Sequence, residues 1–202
     1  MAARCLWLPC ILQAVIGSVL TELNTESLQH GNLTAWQFMS SQHIYLLKTS
    51  TSLGNFTCIK AVTTERDECR QTLSQNYSFL NFVTKNWSMY SASYNPRGEV
   101  RPANSFTSVD KTLHTITNYT LYNITIPYCA VADKSKQYHT GAILKSCELW
   151  VNDGFFQDNG FVYSVPCGRL FRTYCSGSGE DVYNVTQCGL FNETGKTIES
   201  AA

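Results

Sequence analysis

The chain has 202 residues, which is enough for one domain of ordinary size. Its hydrophobic content of 44% supports a core, and its 15 basic and 15 acidic residues leave no net charge. This balance argues against nucleic-acid binding, which depends on clustered Lys and Arg. Aromatic residues make up 12% of the chain and charged residues only 15%, a bias that favours β-structure.

The first twenty residues have the pattern of a secretory signal peptide. A single charge, Arg4, precedes the apolar run LWLPCILQAVIGSVL, in which Gly17 and Ser18 are small. We therefore predict a signal peptide over residues 1–20 and a single domain over residues 21–202. No later run has the length of a transmembrane helix, so no membrane span is expected.

Cysteines and glycosylation sequons also indicate an extracellular protein. Seven of the nine cysteines remain after Cys5 and Cys10 leave with the signal peptide, and in a secreted chain these should form disulfides. Because seven is odd, one thiol is left over or pairs with another chain. Eight N-x-S/T sequons predict surface glycans, at Asn32, Asn55, Asn76, Asn86, Asn118, Asn123, Asn184 and Asn192.

Along the chain, a weak helical pattern over residues 22–39 is followed by short runs at hairpin spacing. The sequence predicts strands over His43–Ser50, Phe56–Glu65, Gln71–Val83, Asn86–Tyr94, Asn104–Ile116, Asn118–Val131 and Ala142–Val151. The stretch ADKSKQYHTG before the last strand is predicted to be a polar loop. A helix is predicted over Val165–Cys175, with Pro166 in its first turn, and VYNVTQC is predicted to be extended.

Seven or eight short strands at regular spacing are typical of an all-β barrel or sandwich. A closed eight-stranded antiparallel barrel can hold one small ligand. Periodicity does not separate this barrel from a sandwich.

The order of several short motifs resembles the tick salivary lipocalins, a family that includes histamine-binding proteins. The motifs are TAWQFM, HIYLLKTSTSLGNFTCIKA, YCAV, CELWV, the VPC…C helix and VYNVTQC, and the resemblance covers nearly all of the mature chain. The resemblance implies an eight-stranded lipocalin barrel with a short N-terminal helix and a C-terminal helix packed outside. It also implies a secreted monomer that binds a small ligand.

The family's amine-binding pattern is a Cys-Asp-aliphatic triplet, then Glu-Leu followed by Trp or Tyr, then a cysteine. Here Cys129-Ala130-Val131 is followed after sixteen residues by Glu148-Leu149-Trp150, and after sixteen more by Cys167. The family's aspartate is therefore replaced by Ala130. A protonated amine entering a low-dielectric cavity needs an anion beside it, which alanine does not provide.

Two interpretations of Glu148 follow. In one it is an inward carboxylate that helps to bind a ligand, with Trp150 on the same strand face. In the other it is the structural partner of a buried polar group. Further candidate ligand-binding residues are Tyr45, Trp87 and Asp110.

The resemblance also implies three disulfides, Cys58–Cys188, Cys129–Cys167 and Cys147–Cys175, which leave Cys69 as the odd thiol. The sequence has no zinc-binding pattern among its four histidines, no nucleophile elbow and no phosphate-binding loop. We therefore expect no metal, no cofactor and no enzymatic activity.

The function that the resemblance implies is sequestration of a small host mediator. A lipid mediator such as a leukotriene or thromboxane is favoured over histamine or serotonin because the family's aspartate is missing. The rival hypothesis is a lipocalin whose surface binds a host protein, for instance a complement component. Room for a ligand inside the barrel favours capture, whereas a solid core favours protein binding.

Overall fold

The computed structural model describes residues 33–110, 114–122, 124–177 and 179–189. The described residues belong to one compact unit, Asn32–Ala202. The predicted signal peptide over residues 1–20 and the sequons at Asn32, Asn123 and Asn192 lie outside the described residues.

The described chain contains nine strands and three α-helices. The strands are β1 His43–Thr49, β2 Phe56–Asp67, β3 Thr72–Asn81, β4 Asn86–Pro96, β5 Ser105–Asp110, β6 Thr115–Leu121, β7 Cys129–Gln137, β8 Ile143–Asn152 and β9 Glu180–Asp181. The helices are α1 Ala35–Met39, α2 Phe161–Cys175 and α3 Val185–Cys188, with a 3₁₀ helix over Asp153–Gly160.

The first eight strands form a closed antiparallel barrel. Consecutive strands are neighbours from β2 to β8, and β1 pairs with both β8 and β2, which closes the sheet. Strand β9 adds two residue pairs to the edge of β1 near its end. The predicted fold, an eight-stranded antiparallel barrel with one helix at each end of the chain, is confirmed.

Helix α1 closes one end of the barrel. Its N-cap, Thr34, accepts a hydrogen bond from the backbone N–H of Gln37, whose side chain accepts one in return from the N–H of Thr34. The Trp36 indole donates to Glu68 in the hairpin between β2 and β3 (2.7 Å). We call this end the closed end. The opposite end, where the connections 50–55, 82–85 and 138–142 lie, is called the mouth.

Two apolar clusters lie on opposite sides of the barrel wall. Ile44 and Leu46 on β1 belong to the inner cluster, whereas Tyr45 between them belongs to an outer cluster with Phe171 of α2. Because α2 covers this part of the outer surface, both faces of β1 are buried. Burial on both faces explains why the run HIYLL is almost continuously apolar and does not alternate with polar residues.

Three sequence-based predictions are wrong at strand boundaries. The single strand predicted over Asn118–Val131 is divided, since β6 ends at Leu121 and β7 begins at Cys129. The single strand predicted over Asn104–Ile116 is divided, since β5 ends at Asp110 and β6 begins at Thr115. The stretch predicted to be a polar loop forms most of β7, which runs to Gln137. The charged residues of β7 are compatible with a strand because they lie toward the mouth rather than deep in the barrel.

Two predictions near the C-terminus also need correction. Pro166 is the sixth residue of α2 and not part of its first turn, because the helix begins at Phe161. The segment VYNVTQC is extended only up to Asn184 and then forms α3. The Asn184 side chain accepts a hydrogen bond from the N–H of Thr186 (2.9 Å), an N-cap that starts the helix.

The structure forms the three disulfides that the resemblance implied: Cys58–Cys188, Cys129–Cys167 and Cys147–Cys175. The second and third attach α2 to the neighbouring strands β7 and β8. The first attaches the segment after β9 to β2. Cys69 is exposed and lies outside these three disulfides.

The described sequons are all at least partly accessible to solvent. Asn55, Asn86 and Asn184 are exposed. Asn76 and Asn118 are half-buried on strands, where their Oδ1 atoms accept hydrogen bonds from Ser91 (2.6 Å) and Thr107 (2.7 Å). These hydrogen bonds use Oδ1 and not the amide nitrogen, which is the atom that carries a glycan.

Candidate ligand-binding site

Glu148 is a fully buried carboxylate on the inner face of β8. Its Oε1 accepts hydrogen bonds from Lys134 Nζ (2.9 Å) and Ser146 Oγ (3.3 Å), and its Oε2 accepts one from Trp150 Nε1 (2.9 Å). Burial of a carboxylate is costly unless it is paired and hydrogen-bonded. Here the charge is paired with an ammonium and both oxygens have donors.

Aromatic rings surround this carboxylate on the inner face. The hydroxyls of Tyr77 and Tyr94 lie 2.9 Å apart, and the Tyr77 ring meets the Trp150 ring edge-on with centroids 6.2 Å apart. Tyr90, the partner of Tyr77 across β3 and β4, stacks on it with ring centroids 4.9 Å apart. Tyr119 lies directly opposite Lys134 across β6 and β7. Aromatic faces and hydroxyls thus line the middle of the barrel.

The tyrosines of this lining are held in the neutral form. Burial is the first cause of the raised pKa values of Tyr77, Tyr94 and Tyr119. The Glu148 charge adds to the rise at each of the three. At neutral pH they are therefore hydroxyl donors and acceptors, not anions.

A second lysine faces inward closer to the mouth. Along β7, Ala130 and Ala132 belong to the inner cluster and Lys134 reaches Glu148, so alternation places Lys136 on the same face. Burial lowers the pKa of Lys136, the charge of Lys134 lowers it further, and Asp110 offsets part of the effect. The candidate residue Asp110 therefore lies within electrostatic reach of the mouth lysine, at the end of β5.

Ala130, at the position of the family's aspartate, is 2% exposed and is paired with Trp150 across β7 and β8. It faces inward and carries no charge. Asp133, the nearest carboxylate in sequence, faces the other way and accepts a hydrogen bond from the Tyr122 hydroxyl (2.6 Å). It does not replace the missing aspartate.

Two candidate residues lie outside the barrel interior. Tyr45 packs in the outer cluster against Phe156 of the 3₁₀ helix and Tyr183, and its hydroxyl donates to Asp153 Oδ1 (2.7 Å). Trp87 is paired with Leu80 on the outer face of β4, is 41% exposed, and has the Lys60 ammonium 5.1 Å from its ring centroid. The structure thus groups Glu148 with Trp150, places Asp110 at the mouth, and separates Tyr45 and Trp87 from all three.

Lys134, Lys136, Tyr77 and Tyr94 line the interior but were not among the residues predicted from the sequence. The available signal was the alternation in AVADKSKQ, in which every second residue from Ala130 faces inward. That signal was hidden because the inward positions change from alanine to lysine along one strand.

Two surface grooves lie outside the barrel. One of about 460 Å³ is bordered by β1, β8 and α2, with Leu149, Phe156 and Tyr183 in its wall. The other, of about 330 Å³, is bordered by β2, β3 and β4. Tyr94 also borders the smaller groove, whereas Glu148 borders neither, so neither groove supplies the room beside Glu148 that a ligand inside the barrel would need.

Within the residues that the structure describes, no three His, Cys, Asp or Glu side chains are grouped as a metal site would need. None of the helices described here combines the length and the apolar character of a membrane-crossing helix.

A family model described as tick histamine binding protein matches residues 23–189. No curated protein matches the chain. Among solved structures, a biogenic amine-binding protein is similar with 8% identity, a TM-score of 0.49 and coverage of 78% of this chain and 83% of that chain. The siderocalin Ex-FABP has 10% identity, a TM-score of 0.46 and coverage of 66% and 85%. A bovine odorant-binding protein has 11% identity, a TM-score of 0.41 and coverage of 63% and 80%.

Proposed function

We propose that this chain, which belongs to the tick histamine-binding protein family, is a secreted salivary lipocalin that captures an acidic lipid mediator of the host. The ligand enters through the mouth and binds in the half of the barrel between Glu148 and the mouth. Capture is stoichiometric and no bond is made or broken. The mediator class is that of leukotrienes and thromboxanes, whose removal would suppress inflammation and haemostasis.

The observation that carries the proposal is the pair of inward lysines on β7. Lys134 is already neutralised by Glu148 at 2.9 Å. Lys136 is nearer the mouth, and its lowered pKa reflects burial together with repulsion from Lys134. A ligand carboxylate beside Lys136 would stabilise this ammonium, since an opposite charge favours the charged form. The acyl chain would lie against the rings of Tyr90 and its neighbours.

Simple amines fit this interior less well. The carboxylate of Glu148 is matched by Lys134, and Ala130 supplies no second anion. The negative charge of Asp110 raises the pKa of Lys136, so this carboxylate already interacts with a lysine ammonium. An incoming ammonium would therefore have to displace a lysine from a carboxylate before it gained a counter-ion, which reduces its net affinity.

Secretion and action as a single chain are part of the same proposal. Three disulfides are typical of proteins from oxidising compartments. Exposed sequons at Asn55, Asn86 and Asn184 are compatible with glycosylation during export.

Calorimetric titration with a leukotriene and with its methyl ester tests this function, using the unmodified protein, Lys136→Met and Lys145→Met. Lys145 is the matched control because it is exposed on the outer face of β8. We expect the acid to bind more tightly than the ester, and Lys136→Met to weaken acid binding about tenfold, which is about 1.4 kcal/mol. Equal affinity for acid and ester, or no effect of Lys136→Met, would contradict the proposal.

A second candidate function is binding of a host protein, and an apolar surface near the mouth favours it. Phe82, Val83, Trp87 and Met89 are all exposed in the hairpin of β3 and β4. Such a patch marks many interaction surfaces. Complement-mediated cell lysis in the presence of the protein tests this function: inhibition that is lost in a Val83→Glu, Met89→Glu variant supports it, and the absence of inhibition rejects it.

A further inference from the structure

The ammonium of Lys134 is held by the two kinds of group that bind ammonium ligands. Its Nζ lies 2.9 Å from Glu148 Oε1 and 5.5 Å from the centroid of the Tyr119 ring. A carboxylate and an aromatic face together recognise alkylammonium ions, through charge pairing and through the ring quadrupole. The geometry around Nζ is therefore that of an occupied ammonium site.

The rest of the Glu148 carboxylate is fixed independently of Lys134. Trp150 Nε1 donates to Oε2 at 2.9 Å, and Ser146 Oγ donates to Oε1 at 3.3 Å. Both donors are neutral. Removing the lysine would thus leave an oriented carboxylate with one charge unmatched, beside the face of Tyr119.

Lys134 reaches this position from the mouth side. It is paired with Ser146 across β7 and β8, whereas Glu148 is paired with Ala132, one inward position deeper. The Lys134 side chain keeps 25% of its surface exposed while Glu148 keeps none. The ammonium therefore stands between the buried carboxylate and any ligand that enters from the mouth.

We propose that Glu148 and Tyr119 form an ammonium site, and that Lys134 occupies this site and thereby excludes amine ligands. Lys134 is then the residue that makes the interior selective against positively charged ligands. This inference rests on the proposed function only in placing the ligand on the mouth side of Glu148. It concerns the residue that rejects amines, not the residue that attracts acids.

Chemical complementation tests the inference. Lys134→Ala removes the atoms of n-propylammonium from the side chain, so this ion, histamine and serotonin are the probes. In calorimetry and thermal unfolding at matched ionic strength, n-propylammonium should stabilise Lys134→Ala and bind it at least tenfold more tightly than the unmodified protein. The affinity of Lys134→Ala for histamine or serotonin should also exceed that of the unmodified protein at least tenfold.

Two controls identify the site. Lys145→Ala removes the same atoms from an exposed position on the outer face of β8 and should gain no amine binding. Lys134→Ala combined with Glu148→Gln keeps the shape, removes the carboxylate charge, and should bind no amine.

The inference is overturned if either control binds amines as tightly as Lys134→Ala does. It is also overturned if folded Lys134→Ala binds amines no more tightly than the unmodified protein. If Lys134→Ala does not fold alone, millimolar n-propylammonium should rescue its refolding, and the yield of folded protein is measured. Failure of that rescue also overturns the inference. Acid binding by the unmodified protein is measured separately, so its absence would reject the proposed function while leaving these results intact.

Discussion

Ala130 and Trp150 face each other across β7 and β8 inside the barrel. Trp150 also donates to Glu148, two residues earlier on β8. A side chain at position 130 therefore lies beside the indole that holds the buried carboxylate. This pairing gives a structural reason why residue 130 and the Glu-Leu-Trp motif act on the same part of the interior.

In a chain that also carries Lys134→Ala, which removes the ammonium between the mouth and Glu148, Ala130→Asp should improve the binding of histamine or serotonin. It adds an anion next to Trp150, and a hydrogen bond to a charged group contributes about 1.5–3 kcal/mol. The gain is reduced by the cost of burying the new carboxylate when no amine is bound. Calorimetric titration of both forms measures the difference.

Ala130→Asn is the matched control, since it has nearly the shape of aspartate without its charge. An equal gain in Ala130→Asn would show that shape, not charge, is responsible. Submicromolar amine binding by the unmodified protein would overturn the preference for an acidic ligand and make Glu148 the main anion.

The disulfides should differ in how much they stabilise the fold. Cys58–Cys188 spans 130 residues and Cys147–Cys175 spans 28. In the chain-entropy model the cost of losing a disulfide grows with the logarithm of the loop length, so the longer loop should cost about 1.4 kcal/mol more. Denaturant unfolding of the two double Cys→Ser variants tests this order. A larger loss of unfolding free energy on removal of Cys147–Cys175 would mean that native contacts of α2, not loop entropy, determine how much a disulfide stabilises the fold.

Much of the fold could be predicted from residue patterns, but the boundaries of β7 could not. The stretch Asp133–Gln137 is polar on both faces, because the outward Asp133 meets solvent and the inward Lys134 and Lys136 lie toward the mouth. Polarity on both faces removes the alternation that marks a strand. Pairing with β6 and β8 is what keeps this stretch extended.

The candidate site could be predicted only in part for a related reason. Glu148 and Trp150 are two residues apart and share a face on any strand. Tyr45 looked equally suitable, but the cover of α2 makes the outer face of β1 as apolar as the inner one. Sequence alternation does not reveal which face of a two-sided apolar strand turns inward, so the position of Tyr45 depends on tertiary packing.

Alkaline pH should unfold the protein and ionise the inner tyrosines together. Tyr77, Tyr94 and Tyr119 have folded-state pKa values raised above the ordinary value of 10.0, mainly by burial. Above pH 10 the unfolded chain therefore binds fewer protons than the folded chain, and stability falls as pH rises.

Tyrosinate absorbance and circular dichroism should accordingly change in one transition for these residues. Protein in guanidinium chloride is the control, in which every tyrosine titrates near its ordinary value. Full ionisation of all tyrosines in a protein that keeps its native circular dichroism would contradict the buried positions of the three.

Enzymatic removal of N-glycans from the secreted protein should lower its mass by several glycans and leave the fold intact. Asn55→Gln and Asn86→Gln should each remove one glycan without changing the unfolding temperature, because both residues are exposed. Asn184→Asp should do the same while keeping the Oδ1 that caps α3. A secreted form with no mass shift would show that the sequons are not used.

Capture of an acidic lipid in preference to an amine can be measured by native mass spectrometry of the protein in an equimolar mixture of leukotriene, histamine and serotonin. We expect a single complex of one protein chain with one leukotriene. The complex should be less abundant when the methyl ester replaces the acid at the same concentration. A complex with either amine in the presence of the acid would contradict the claim, and so would a protein that carries no ligand at saturating concentrations of all three.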